Sequence, residues 1–201
     1  MSSFDERARS WDTPERRARA EAVATAIRAS VTLDPSMRVI DVGAGTGLLG
    51  VALAADVGTV VLTDPSAGMH EVTREKLAAG GPPNASAMRL DLVADPPPDE
   101  PFDLAVSMLV LHHLPDPAAA LAALHALLRP GGRLALADLD EEDGSFHDPD
   151  AEGIHHRGFE RSALAELARG AGFSDVEMGT ATVMERDGRE YPLFLLVARR
   201  P

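Results

Sequence analysis

The stretch Arg38–Gly50, RVIDVGAGTGLLG, constrains the fold more than any other part of this chain. Val39–Val42 predicts a buried strand that carries one carboxylate, Asp41, and runs into a turn built on Gly43, Gly45 and Gly47. A helix is expected from about Gly47 to Ala55. Strand, glycine turn and helix together place a ligand at the strand's carboxyl end. Glycine permits positive φ and close approach of the backbone, and the first amides of the helix face the ligand.

Two glycine patterns overlap here. Gly45-x-Gly47-x-x-Gly50 fits a dinucleotide site, with a pyrophosphate on the helix N-terminus and Asp41 repelling it from nearby. Gly43-x-Gly45-x-Gly47 instead puts Asp41 at the strand's end, beside a ligand without phosphate, and favours a nucleoside with a cationic or zwitterionic tail. A buried carboxylate must find donors, so Asp41 also fits as a structural acid pinning the turn. Asp64 ends the next strand about twenty residues on, where an acid accepts both hydroxyls of a ribose.

The remaining sequence reads as alternating strands and helices. Thr13-Pro14-Glu15 is a helix start, and that helix runs to about Ser30. Strands are expected at Thr59–Thr63, Ala87–Leu90, Phe102–Leu109 and Arg133–Ala137. Helices follow Asp64-Pro65 and cover Pro117–Leu128, and the latter stops at Arg129-Pro130-Gly131-Gly132. Gly80–Asn84 and Ala94–Pro101 read as loops. Parallel crossovers and a sheet covered on both faces follow from this order. Leu164, Leu167, Ala168 and Ala171 mark a last helix. Val176–Arg186 and Arg189–Arg199 then form a hairpin across Asp187-Gly188.

At 201 residues, one domain is expected, with a core large enough to need no staples. The chain has no cysteine, which excludes disulfides, thiolate metal sites and a cysteine nucleophile. No apolar run approaches the ~20 residues of a membrane span, and Met1–Arg19 is too charged for a signal peptide, so a cytoplasmic protein is expected. A net charge of −13, with Lys76 the single lysine, argues against nucleic acid as a partner.

VIDVGAGTG followed by VVLTDPSAGM resembles the first two motifs of the class I S-adenosylmethionine-dependent methyltransferases. The similarity continues through RLDL (Arg89–Leu92), FDLAVSMLVLHHLPDP (Phe102–Pro117), LRPGGRLALADLD (Leu128–Asp140) and GAGFSDV (Gly170–Val176). The resemblance implies a single Rossmann-like α/β domain over residues 1–201. Its seven-stranded, mostly parallel sheet would end in an antiparallel hairpin, with helices on both faces. It implies that Gly43, Gly45 and Gly47 lie along the methionine part of S-adenosyl-L-methionine, with Asp41 organising that end. Asp64 would hold the ribose, Met69 would lie near the adenosyl group, and Asp91 and the Leu92 amide would meet the adenine. Ser107 and Met108 would complete the wall. The N-terminal segment, residues 1–30 with Trp11, would close over the cofactor as a lid, unless Trp11 simply anchors the first helix in the core.

These motifs are silent about the methyl acceptor, which is expected to be a small molecule. Transfer needs alignment above all, and a base only where the acceptor must lose a proton. Candidate bases are His113, His155 and His156. His112 and His113 follow the fourth strand, where one of them caps a turn or takes a proton. Residues 138–159 are read as a substrate-side insertion, holding His147, His155 and His156, with seven acids from Asp138 through Asp150. No fixed ligand spacing supports a metal there, and none is expected. A cofactor-binding protein that transfers no methyl group, or a nicotinamide-dependent oxidoreductase, is the alternative reading.

Overall fold

The computed structural model of the chain describes residues 3–148, 151 and 153–201. Seven strands form one sheet in the order β3-β2-β1-β4-β5-β7-β6. They are β1 (Arg38–Val42), β2 (Thr59–Asp64), β3 (Ala85–Arg89), β4 (Phe102–Met108), β5 (Leu128–Leu139), β6 (Ser174–Arg186) and β7 (Arg189–Arg199). The first five run parallel. β7 enters antiparallel to β5, and β6 pairs antiparallel with β7. Strand order reverses between β1 and β4, and the carboxyl ends of those neighbours are where a cleft opens in such a sheet.

Among the described residues, six α-helices accompany the sheet: α1 (Ser3–Arg7), α2 (Pro14–Ser30), α3 (Leu48–Leu53), α4 (Ala67–Ala78), α5 (Pro117–Leu127) and α6 (Arg161–Gly170). Alternation along β1 sends Val39 into one core, with Val23 and Ile27 of α2 and Leu49 and Leu53 of α3. Ile40 and Val42 enter the opposite core, with Leu121 and Leu124 of α5 and Leu164 of α6. The same period of two places Asp41 on the Val39 side, facing α3. Side chains cap the helices where the sequence supplies them: Thr13 accepts from the Arg16 amide, Ser66 from Met69, and Asp116 from Ala118 and Ala119. No helix among the described residues is long and apolar enough to cross a membrane.

Several boundaries differ from expectation for local reasons. α3 begins only after Gly47, whose φ of +85° is left-handed, and tightens into a 3-10 turn at Ala54–Asp56. α5 stops at Leu127 as expected, but β5 begins at Leu128 rather than Arg133 and takes in Pro130-Gly131-Gly132. Gly131 N donates to Arg200 O and Arg200 N to Gly132 O, each at 2.8 Å. β4 pairs with Leu128, slips, and resumes at Arg133, so the segment becomes an irregularity inside β5. β3 starts two residues earlier than expected, at Ala85. Leu167 is 40% exposed while Leu164 and Ala168 are buried, so the apolar face of α6 is narrower than its spacing implied. Asp187 and Gly188 both have positive φ, as a two-residue hairpin turn with the sheet's twist requires.

Candidate active site

The glycine turn folds because three of its residues adopt conformations that side chains resist: φ is +68° at Gly43, +57° at Gly45 and +85° at Gly47. Asp41, 1% exposed, accepts the Gly50 amide at 2.8 Å and so ties the strand to the first turn of α3. Burial pushes its carboxyl up to about 7, the nearby Asp64 charge adds to the rise, and the Gly50 amide opposes it.

That shift has a signed consequence. Asp41's folded value lies above its unfolded value near 4, so the folded chain keeps a proton that the unfolded chain releases between about pH 4 and 7. Stability from this group therefore falls as pH rises through that window and levels off above it. Urea unfolding of wild type and Asp41→Asn at pH 4.5 and 7.5 should show a wild-type loss larger by on the order of a few kcal/mol. Parallel pH dependences would contradict this.

Asp64 turns back onto the same loop. Its Oδ2 accepts Gly45 N at 2.9 Å and its Oδ1 accepts Ser66 N at 2.8 Å. Burial raises its pKa, against the pull of the Ser66 and Gly45 amides. Each oxygen retains a further lone pair. Met69 is buried in the first turn of α4, its sulfur 3.9 Å from where a Cβ on Gly45 would stand. Ser107 donates its hydroxyl to Val42 O at 2.9 Å and stitches β4 to β1. Beyond the half-buried Met108, Leu109 takes φ +58° and turns Val110 over Gly43. Asp91 lies two residues past β3, where its Oδ1 accepts the Val93 and Ala94 amides at 3.1 Å. Leu92 lines a small cleft of about 120 Å³ with Leu90 and Val93.

The N-terminal segment packs onto this loop through more groups than Trp11. The indole Nε1 lies 3.4 Å from the Cβ position on Gly45, and the Arg16 guanidinium covers the ring at 3.9 Å. Asp12 accepts from the Thr46 hydroxyl and from Lys76 Nζ at 2.7 Å, and the same ammonium donates to Thr46 O at 2.6 Å. Asp5 accepts Ser66 Oγ at 2.6 Å and Gly68 N at 3.0 Å. The sequence assigns no site role to Asp5, Asp12 or Lys76, although a lone lysine in an acidic chain is a usable signal.

Histidines gather at the end of β4. His112 is 1% exposed. Its Nδ1 lies 2.6 Å from Asp138 Oδ1, and its amide donates to Asp138 Oδ2 at 3.2 Å. Asp138, fully buried at the end of β5, also accepts Leu139 N at 2.8 Å. The His113 ring stands 4.1 Å from that of His112, and the His147 ring 5.0 Å. His113 Nδ1 donates to Gly153 O at 2.8 Å, and burial, reinforced by His112, holds its pKa down at about 4. His156 donates Nε2–H to Leu114 O at 3.1 Å. His155 exposes its side chain while its amide donates to His112 O. His147, His155 and His156 share a cavity of about 380 Å³ with Glu142, Ile154 and Arg157. Among the described residues, no three His, Asp or Glu side chains are placed to hold a metal ion.

Seven strands in this order, a glycine loop at the switch point and acids ending β1 and β2 define a site of one class. The family described as "Methyltransferase domain" matches residues 15–178, and the chain belongs to it. A ubiquinone biosynthesis O-methyltransferase of Xylella fastidiosa is 38% identical over 111 residues, covering 54% of this chain and 44% of that protein. An uncharacterized methyltransferase of Schizosaccharomyces pombe is 31% identical over 156 residues, covering 71% of this chain and 55% of its own length. The chain thus spans about half the length of these relatives. The crystal structure of a SAM-dependent methyltransferase from Aquifex aeolicus shares the fold, with a TM-score of 0.72, 22% identity and 98% of each chain covered.

Proposed function

We propose that this chain binds S-adenosyl-L-methionine over the glycine loop and methylates a small molecule. The observation that carries the reading is the junction of Asp64 with Gly45 N at 2.9 Å beside three left-handed glycines. A nucleoside diol can be accepted by the lone pairs Asp64 retains, while the open glycine backbone admits the amino-acid tail. Asp41 favours a cationic group at that end, and the residues present therefore fit the cofactor. Bound there, it would supply a methyl group on a positively charged sulfur, an electrophile with a good leaving group.

The chain's own contribution is binding, alignment and exclusion of water. Asp91 and the Leu92 amide are the residues for the adenine, and Met69, Ser107 and Met108 wall the site. Residues 3–30 act as a strap over it, held by Asp12 to Lys76 and Asp5 to Ser66; residues 1 and 2 of the expected lid lie outside the described residues. The described part of the segment 138–159 forms the acceptor side, where the cavity beside His147 lies; residues 149, 150 and 152 of that expected insertion lie outside the described residues. The 201 residues work as one cytoplasmic domain without a nucleic-acid partner, in keeping with the net charge of −13.

The test is formation of S-adenosylhomocysteine above a no-acceptor control across a panel of phenols, amines and carboxylic acids. Saturable cofactor binding with no product from any acceptor would favour the alternative of a binding protein.

A further inference from the structure

Past β5 the chain folds back on itself and fixes an arginine at the wall of a cavity. Phe159 N donates to Leu139 O at 2.9 Å, Glu141 N to Phe159 O at 3.1 Å and Glu142 N to Arg157 O at 2.9 Å. Residues 139–142 and 157–159 thus zip into a short ladder at the end of β5. Gly158 allows the close approach, with φ +74° and a Cβ position only 2.1 Å from Asp140 O. Arg161 clamps Asp140 through two hydrogen bonds of 2.7 Å. The backbone of Arg157 is held by this ladder, and its side chain lines the cavity of about 380 Å³.

The guanidinium itself is seated. Gly144 has φ +92°, and Cζ, Nε and Nη1 of Arg157 lie 3.0, 3.0 and 3.1 Å from where a Cβ on it would stand. Three atoms of one planar group at equal distance place the guanidinium face-on against the glycine. Its N–H donors lie in that plane and stay clear of Gly144. None of them has a hydrogen-bond or ion-pair partner among the described residues. The acids of the same wall are committed. Glu142 Oε2 accepts the Gly144 and Phe146 amides at 2.7 and 3.0 Å, and its Oε1 is buried. Asp148 pairs with Arg186 at 2.5 Å. Burial lowers the pKa of His147 and keeps that ring neutral. Arg157 is therefore the one unneutralised charge on the wall among the described residues, in a chain whose net charge is −13. Ala151 and Ile154 supply an apolar part of the lining. The cavity also adjoins the turn after β4, because the His155 and His156 amides both donate to His112 O.

We infer that this cavity selects a methyl acceptor carrying a carboxylate, and that Arg157 is the residue that recognises it. The assignment rests on the methyl-transfer reading above. A planar fork of paired donors matches the two oxygens of a carboxylate. A neutral or cationic ligand would cover the guanidinium without pairing it and lose its hydration for nothing in return. The apolar lining accommodates a hydrocarbon chain or ring behind the acid. Arg157 serves recognition, and no proton passes through it.

Calorimetry on the wild-type protein at low salt tests the site directly. The probes are phenylacetate, 3-phenylpropionate and hexanoate, each compared with its own amide, with phenethylamine and phenyl phosphate as controls. Each acid should bind about 10- to 100-fold more tightly than its amide. Arg157→Gln should bring acid and amide within about twofold, and Arg157→Lys should keep part of the difference, since an ammonium retains the charge but not the fork. Both variants should melt as wild type does and bind S-adenosylhomocysteine within about threefold of it, because the Arg157 side chain is exposed. In turnover, acceptors with a carboxylate should be preferred to their amides, and Arg157→Gln should raise their KM by about tenfold or more with kcat held. The assignment is overturned if no acid binds, if an amide, phenethylamine or phenyl phosphate binds as tightly as the acids, if the preference survives in Arg157→Gln, or if only acceptors without a carboxylate are methylated. Failure of the wild-type protein to bind S-adenosylhomocysteine while Arg157 still governs acid binding would uphold the carboxylate site and overturn its role in methyl transfer.

Discussion

Asp64→Ala should weaken S-adenosylhomocysteine binding by on the order of 10²- to 10³-fold, with the protein still folded. A hydrogen bond to a charged group contributes about 1.5–3 kcal/mol, and in the proposed function this carboxylate accepts from two ribose hydroxyls. It also holds the Gly45 amide at 2.9 Å and the Ser66 amide at 2.8 Å, so its loss loosens the glycine loop proposed to carry the rest of the cofactor. About 3–4 kcal/mol in all gives the stated range. Asp64→Asn keeps one oxygen acceptor and should fall between wild type and the alanine variant. Titration calorimetry of the three proteins checks the order. Affinities within threefold of one another would show that Asp64 only pins the loop.

Gly50→Val should be the most damaging single substitution near the site for stability, lowering it by on the order of 3 kcal/mol or more. A Cβ at Gly50 would stand 2.3 Å from Leu62 Cδ2, and 3.0 Å from both Asp41 Oδ2 and Val60 Cγ1. Leu62 is the far end of a flexible side chain and can yield to one methyl group. The two branches of valine would reach the strand and the carboxylate as well, in a core where Val60 and Leu62 are already buried. Thermal melts should show a midpoint lower by roughly 6–12 °C. Gly50→Ala should cost markedly less. An unchanged midpoint for valine would mean that α3 is not seated against β2 as described.

The fold was legible because its information is local and repeated. Apolar runs, Thr13-Pro14, Asp116-Pro117 and Asp187-Gly188 each specify an element or its end by short-range chemistry. The differences were local too. Arg129-Pro130-Gly131-Gly132 follows the end of α5 as expected, but β5 begins at Leu128 rather than Arg133, because Arg200, about seventy residues away, supplies hydrogen bonds that keep the segment in the sheet. Glycine spacing and two acids located the loop around Asp41 and Asp64 from sequence alone. The histidine cluster was harder to see. His112 and Asp138 are 26 residues apart and meet only because β4 and β5 are neighbours, so no spacing along the chain signals the pair. The hold of Asp12 on Lys76, 64 residues away, is hidden for the same reason.

The two overlapping glycine patterns make opposite claims about Gly50. In the structure its amide serves Asp41 and its missing side chain makes room for Leu62, so it packs a helix onto a strand. A pyrophosphate would have to lie beside Asp41 and Asp64, two acids with raised pKa values. Calorimetric titration of the wild-type protein with S-adenosylhomocysteine and, separately, with NAD distinguishes the two ligands most directly. Saturable one-site binding of S-adenosylhomocysteine with no heat from NAD is the predicted result. Binding of NAD without binding of S-adenosylhomocysteine would contradict the account at its centre.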